Sequence, residues 1–248
     1  MRKHGYAVSD DSRLVKAEKI IACLEHFDRN LHDREVLEIG CGSGMISYEM
    51  SKRVEYVVAA DITGETLKDT VENRGMGRLP FEFVISDGTS LPFGPSSFDI
   101  VVCNHVFEHV IDQQELVSEI YRVLKWNGLC YIATGNKLWP IEPHTKLPFL
   151  SYLPKSIANK YAKIIGLDEY DVSLPTYWTL KRILSHRFRK IIDLTPLVVK
   201  QPQMFHLTNE VAKPLGSILK RIPLQILQLF VPFSPGWIMI GIKSNTLP

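Results

Sequence analysis

The chain has 248 residues, 45% of them hydrophobic and 23% charged, with a mean hydropathy of −0.01; this is the balance of a globular protein and excludes a disordered or collagen-like one. Cys23, Cys41, Cys103 and Cys130 form no CxxC pair, which excludes a zinc knuckle or dithiol redox motif and fits a reduced, cytoplasmic setting. Net charge is only +2, yet residues 1–177 carry 19 basic and 25 acidic groups and residues 178–248 carry 10 and 2, an asymmetry that hints at an anionic partner for the C-terminal part.

The opening MRKHGYAVSDDSR is polar and has no apolar run of the kind a secretory leader carries. Residues 1–30 read as an N-terminal helical segment, with a helix over Leu14 to Phe27. Strands are expected at Val36 to Ile39, Tyr56 to Ala60, Phe81 to Ile85, Ile100 to Cys103 and Leu129 to Thr134. Helices fill the gaps at Met45 to Lys52, Thr66 to Arg74 and Gln113 to Leu124, the last ended by the turn Trp126-Asn127-Gly128. This alternation is an α/β pattern with a mostly parallel sheet. Over residues 136–178 the rhythm breaks, because LWPIEPHTKLPFLSYLP sets four prolines among aromatics; an inserted cap within a single domain, 1–248, is expected.

Residues 179–248 then complete a seven-stranded sheet with a helix (Thr179 to Phe188), a strand (Ile191 to Leu194), a Pro-initiated helix (Leu215 to Phe230) and a last strand (Trp237 to Ile242). Ile222 to Ile242 runs 21 residues without a charge, about the length that spans a bilayer. Pro232, Pro235 and Gly236 divide it instead into an amphipathic helix and a buried strand. The favoured expectation is a core helix under the sheet; the alternative is a peripheral membrane contact by a basic, apolar C-terminal helix.

The informative segment is VLEIGCGSG, Val36 to Gly44, an apolar strand that runs into three glycines before a helix. Such a turn lets backbone approach a ligand and points free helix N–H groups at it. The dinucleotide fingerprint GxGxxG would need glycine where Met45 stands, and no GK[ST] phosphate loop is present. VLEIGCGSG resembles the first motif of class I S-adenosylmethionine-dependent methyltransferases, and later segments are similar to that family in the same order. Asp61 closes YVVAAD, and Asp87 lies in VISDGTSLPF. LPFGPSSFDIVVCNHVFEHV is similar to the fourth-strand segment of the small-molecule, quinone-methyltransferase-like branch, and EIYRVLKWNGLCYIAT resembles the helix and strand after it. The resemblance runs from Val36 to Thr134.

It implies a Rossmann-like, doubly wound fold with S-adenosylmethionine as cofactor. Gly40, Cys41, Gly42 and Gly44 would then admit the amino acid end of the cofactor, with Glu38 near its ammonium through the loop or a water. Asp61 would hold both ribose hydroxyls, and Met45 and Ile62 would flank ribose and adenine. Asp87 and Gly88, with the Thr89 backbone, would complete the adenine edge, and Asn104 would face the methionyl part.

A sulfonium is already an activated electrophile, so methyl transfer asks mainly for alignment, which can contribute about 7 to 11 kcal/mol, and for exclusion of water. No metal is required. A hydroxyl acceptor adds the need for a general base, for which His105 and His144 are the candidates; His109 reads as helix surface or packing and Glu108 as a solvated or capping acid. The spacing of His105, Glu108 and His109 is loosely reminiscent of a metal site, but the segment matches the methyltransferase pattern, and no metal is expected. Enzymes of this superfamily that methylate nucleobase amino groups carry [Asn/Asp]-Pro-Pro-[Tyr/Phe] where this chain has Asn104-His105-Val106-Phe107. Nucleic acid is therefore not the expected partner. Trp139, Phe149, Tyr152, Tyr161, Tyr170, Tyr177 and Trp178 suit a small, apolar or lipid-linked acceptor instead. The alternatives are an RNA methyltransferase that uses Arg182, Arg187, Arg189 and Lys190, and a non-catalytic regulatory protein that only binds the cofactor.

Overall fold

The computed structural model describes residues 10–74, 78–164, 166, 170–206 and 222–244. Five strands run parallel, β1 (Glu35–Ile39), β2 (Tyr56–Asp61), β3 (Glu82–Ile85), β4 (Phe98–Asn104) and β5 (Leu124–Gly135). A sixth, β6 (Lys190–Asp193), and a seventh, β7 (Gly236–Ile242), are antiparallel to each other, and β7 is antiparallel to β5. The order across the sheet is β3-β2-β1-β4-β5-β7-β6. The helices are α1 (Asp10–Glu25), α2 (Met45–Met50), α3 (Glu65–Arg74), α4 (Gln113–Val123), α5 (Lys155–Ile164), α6 (Tyr177–Ser185), α7 (Thr195–Lys200) and α8 (Leu224–Phe230).

Strands covered on both faces are continuous apolar runs, and their alternation sorts residues between two core layers. Val36, Ala59, Val102 and Tyr131 pack with Ile20 and Leu24 of α1. Leu37, Val101, Cys103 and Ile132 pack with Leu116 and Ile120 of α4 and Leu180 of α6. The strand order reverses at β1, which lies between β2 and β4. The crevice at the carboxyl ends of these strands is where open α/β sheets gather ligands.

The ends of several elements depart from expectation. Helix α4 starts at an Asp112 cap, whose carboxylate accepts from the N–H groups of Gln114 and Glu115 at 3.1 and 3.0 Å. It ends at Val123, before the Trp126-Asn127-Gly128 turn, which belongs to β5 and lies within an irregularity in its pairing with β4. Its last carbonyls are closed from far along the chain: the Lys243 ammonium donates to Tyr121 O and Leu124 O at 2.8 and 2.6 Å.

The 136–178 region is more regular than its prolines suggest. It holds an Ile141–Pro148 bridge, a 3-10 turn at Leu150–Tyr152 and α5, around a small core of Leu150, Ala158, Ala162 and Tyr170. Helices α5 and α7 are both additions to the expected set. Of the helix expected over Leu215 to Phe230, residues 215–221 lie outside the described residues. The remainder, α8, buries only Leu227 and leaves Ile226, Leu229 and Phe230 exposed, so it is not the core helix expected under the sheet. Among the described residues no helix is long and apolar enough to cross a membrane.

Candidate active site

The loop after β1 is shaped by its glycines. Gly40, Gly42 and Gly44 have φ of 71°, 52° and 73°, a left-handed region that disfavours side chains. A Cβ on Gly40 would lie 2.1 Å from Val106 Cγ2, and one on Gly44 would lie 2.6 Å from Leu67 Cδ1. A Cβ on Gly42 would meet nothing within 4 Å. Two of the glycines thus let the loop seat against the fold, and the third leaves bare backbone facing open space.

Asp61, at the end of β2, ties this loop down. Its Oδ2 accepts from the Gly42 N–H at 2.8 Å and its Oδ1 from the Thr63 N–H at 3.1 Å. Glu38 is fully buried beneath the loop, where its carboxylate accepts from the Ser47 hydroxyl; burial pushes its pKa up to about 8 against the effect of that bond. Cys41 and Met45 are also buried. By contrast Ile62 and Ile85, each 68% exposed, stand at the carboxyl ends of β2 and β3. Asp87 is exposed, with Oδ1 accepting from both the N–H and the hydroxyl of Thr89 at 2.8 Å. A Cβ on Gly88 would press on Leu116 and Ile39 at 2.9 and 3.0 Å. Asn104, half-buried, closes β4.

Beyond Asn104 the chain makes a tight turn. His105 takes a φ of 56° and its N–H donates to Ala133 O at 2.8 Å. A 3-10 turn at Phe107–His109 then brings Glu108 back under the His105 ring. Glu108 is fully buried, which corrects the reading of a solvated or capping acid. Its Oε1 lies 3.0 Å from His105 Nδ1 and 3.3 Å from His144 Nε2, and its Oε2 accepts from the Thr134 hydroxyl at 2.7 Å. Burial works to raise the Glu108 pKa, but the two imidazoles and Thr134 outweigh it and hold the carboxyl well below its usual range. For His144 burial works downward and the Glu108 carboxylate upward, with a net rise. His105 and His144, residues of separate segments, thus converge on one buried anion.

His109 is exposed and its ring meets that of His144 edge-on at 4.9 Å. Among the described residues, Glu108, His109 and His144 each bring one donor atom to within 4.8 Å of the others, the Glu108 and His144 donors lying 3.3 Å apart. The Glu108 oxygens are already engaged by His105 and Thr134.

Two clefts flank it. One of about 250 Å³ is lined by His105, Gly135, Trp139, Ile141, Lys146 and Pro235, among others. The other, about 410 Å³, lies on the His109 side and is lined by Lys137, Lys155, Tyr170 and Leu174, among others. Sequence reasoning missed Glu108 as the organiser of the site, because what buries it, Thr134 and His144, comes from β5 and the cap.

Comparison with known proteins gives a consistent picture. Residues 37–132 match the family model described as a methyltransferase domain. A ubiquinone biosynthesis O-methyltransferase of Idiomarina loihiensis is 29% identical over 53% of this chain and 56% of its own length. A demethylmenaquinone methyltransferase of Lactobacillus johnsonii is 28% identical over 63% and 65%. The chain thus spans somewhat under two thirds of the length of these curated relatives. Among solved structures, a phosphoethanolamine N-methyltransferase of Haemonchus contortus, in complex with S-adenosylhomocysteine, superposes with a TM-score of 0.58 at 17% identity, over 97% of this chain and 59% of its own. An S-adenosylmethionine-dependent methyltransferase of Mesorhizobium loti gives 0.58 at 12% identity, over 96% and 100%. At such identities the superpositions show the shared Rossmann-like fold alone.

Proposed function

We propose that this chain, which carries a class I S-adenosylmethionine-dependent methyltransferase domain across residues 37–132, transfers a methyl group from that cofactor to a hydroxyl of a small, apolar or lipid-linked acceptor. The observation that carries the reading is the pairing of a bare glycine loop, fastened by Asp61, with a carboxylate-held imidazole across the same crevice.

The residues at the crevice fit the cofactor. Open backbone at Gly42 gives room for its amino acid end, and Asp61 and Asp87 offer carboxylates at consecutive strand ends for hydroxyl and amino hydrogens. Exposed Ile62 and Ile85 offer apolar surface for a ring, Met45 and Cys41 support the loop from below, and Glu38 would act on the ammonium only through the loop. When bound, the cofactor supplies an electrophilic methyl carbon. The protein has then to orient the acceptor, exclude water and take up a proton.

His105 is the base in this reading. Its Nδ1–H donates to Glu108, which leaves Nε2 as the nitrogen that takes the acceptor's proton. His144, whose pKa the same carboxylate raises, lies 3.3 Å from it and is a positioning residue. Trp139, Ile141 and Pro235 give the cleft apolar walls suited to an aromatic or aliphatic acceptor. The names of the relatives in quinone biosynthesis support a ring hydroxyl as the acceptor. All four cysteines are buried and none is disulfide-bonded, in keeping with a cytoplasmic setting, and an apolar acceptor agrees with a peripheral contact to a membrane.

The test is calorimetric titration of S-adenosylhomocysteine into the wild-type protein and Asp61→Ala, with NAD as control. Micromolar binding that the substitution weakens at least about tenfold, or 1.4 kcal/mol, is expected. Absence of binding to folded wild-type protein would remove the reading.

A further inference from the structure

Large apolar side chains stand exposed on both rims of the His105 cleft. On the cap side Phe149 and Tyr152, whose rings lie 5.8 Å apart, are 59% and 46% exposed beside Ile141. On the opposite side Phe233 and Trp178, with ring centroids 6.4 Å apart, are 59% and 56% exposed. Pro235 and Gly236, two residues further along, line the cleft itself. Phe230, 66% exposed, extends this side onto α8. Exposed apolar surface of this extent marks a place of contact.

Charge selects the partner. From Asn136 to Gly166 the only acid in the sequence is Glu142, which is fully buried, whereas Lys137, Lys146, Lys155, Lys160 and Lys163 are all exposed. A second segment, residues 178–206, holds one acid, the half-buried Asp193, against six Lys and Arg residues, of which Lys190 pairs with Ile242 at the far end of the sheet. Lys181 is one of them, and its ammonium lies 5.4 Å from the Tyr177 ring centroid, beside Trp178. A second copy of this chain would bring like charge to like charge. Apolar and aromatic tips among exposed lysines are instead the composition of a surface that lies in a lipid interface.

We propose that the two rims dock this protein on an anionic bilayer, the aromatic tips entering the interface and the lysines meeting the headgroups, so that the His105 cleft opens toward the lipid. The consequence that an apolar acceptor is collected from the bilayer rests on the methyltransferase reading; the docking does not.

The experiment is co-sedimentation with vesicles of phosphatidylcholine, alone or mixed with phosphatidylglycerol. Wild-type protein is expected to pellet with the mixed vesicles and much less with the neutral ones. The triple variant Phe149→Ser, Phe230→Ser, Phe233→Ser is expected to lose at least about tenfold in partitioning, and Lys181→Glu about fivefold. Calorimetry with S-adenosylhomocysteine on the same proteins is expected to stay at the wild-type value, so failure of the cofactor site is read separately from failure of docking. No partitioning into anionic vesicles, or equal partitioning of wild type and triple variant, overturns the proposal. So does a concentration-dependent dimer in sedimentation velocity that the triple variant abolishes, since the rims would then be covered by a second copy.

Discussion

His105 is held in a backbone conformation, φ of 56°, that among side-chain-bearing residues is commonest for Asn, Asp and His. His105→Asn therefore removes the imidazole at little backbone cost. In single-turnover methyl transfer the rate is expected to fall about 10²- to 10⁴-fold, the range of one acid–base group, with S-adenosylhomocysteine affinity unchanged. Glu108 and His144 make a different, pH-dependent contribution. Glu108 titrates below its ordinary 4.5, so its stabilisation is complete above that value and lost as pH falls toward its lowered pKa. His144 titrates above its ordinary 6.5, so its stabilisation is complete below that value and lost as pH rises through its raised pKa. The melting temperature of His144→Gln is thus expected to fall furthest below wild type between pH 4.5 and 6.5, with the gap closing on the alkaline side. His105 and His144 were legible as candidates because both lie in segments that reach the crevice; Glu108 was not, because burial of a side chain is decided by partners distant in sequence, here Thr134 and His144.

At the scale of elements, the glycine loop separates stability from binding. A methyl group on Gly40 would collide with Val106, while one on Gly42 meets open space. Gly40→Ala is expected to lower the melting temperature more than Gly42→Ala, whose left-handed backbone costs only about 1–2 kcal/mol. Gly42→Ala is expected to weaken S-adenosylhomocysteine binding in calorimetry while still folding. Strands β1, β2, β4 and β5 were readable because each is largely buried and appears as a mainly apolar run, while β3, at the sheet edge, is short and partly exposed. The end of α4 lies within one residue of expectation, and Lys243, 119 residues beyond Leu124, closes its last carbonyls from a distance that the local sequence does not reveal. Helix α5 was hidden because its inward face is made of alanines, Ala158 and Ala162, and its outward face mixes Ile157 and Ile164 with lysines. Helix α7 is too short, at 6 residues, to show a period.

For the whole molecule, the sheet joins all seven strands into one body, whereas the cap closes around only a small core of its own. Hydrogen exchange is expected to find the amides of α5 opening well before those of β4 and β5, and slowing when acceptor and S-adenosylhomocysteine are both present. The basic excess of the C-terminal part was evident from composition, but its placement was not: Lys146 of the cap lines the His105 cleft, and Lys181 sits against the Tyr177 ring. The position of β7 has a further consequence, for the order of synthesis. Because this strand inserts between β5 and β6, residues 190–193 emerge from the ribosome with no neighbour to join, and β5 waits with one flank unpaired. The sheet cannot close until residues 236–242 have been translated, so the nascent chain carries an open strand edge through the synthesis of about a hundred residues, the interval in which it most needs shelter from other unfolded chains.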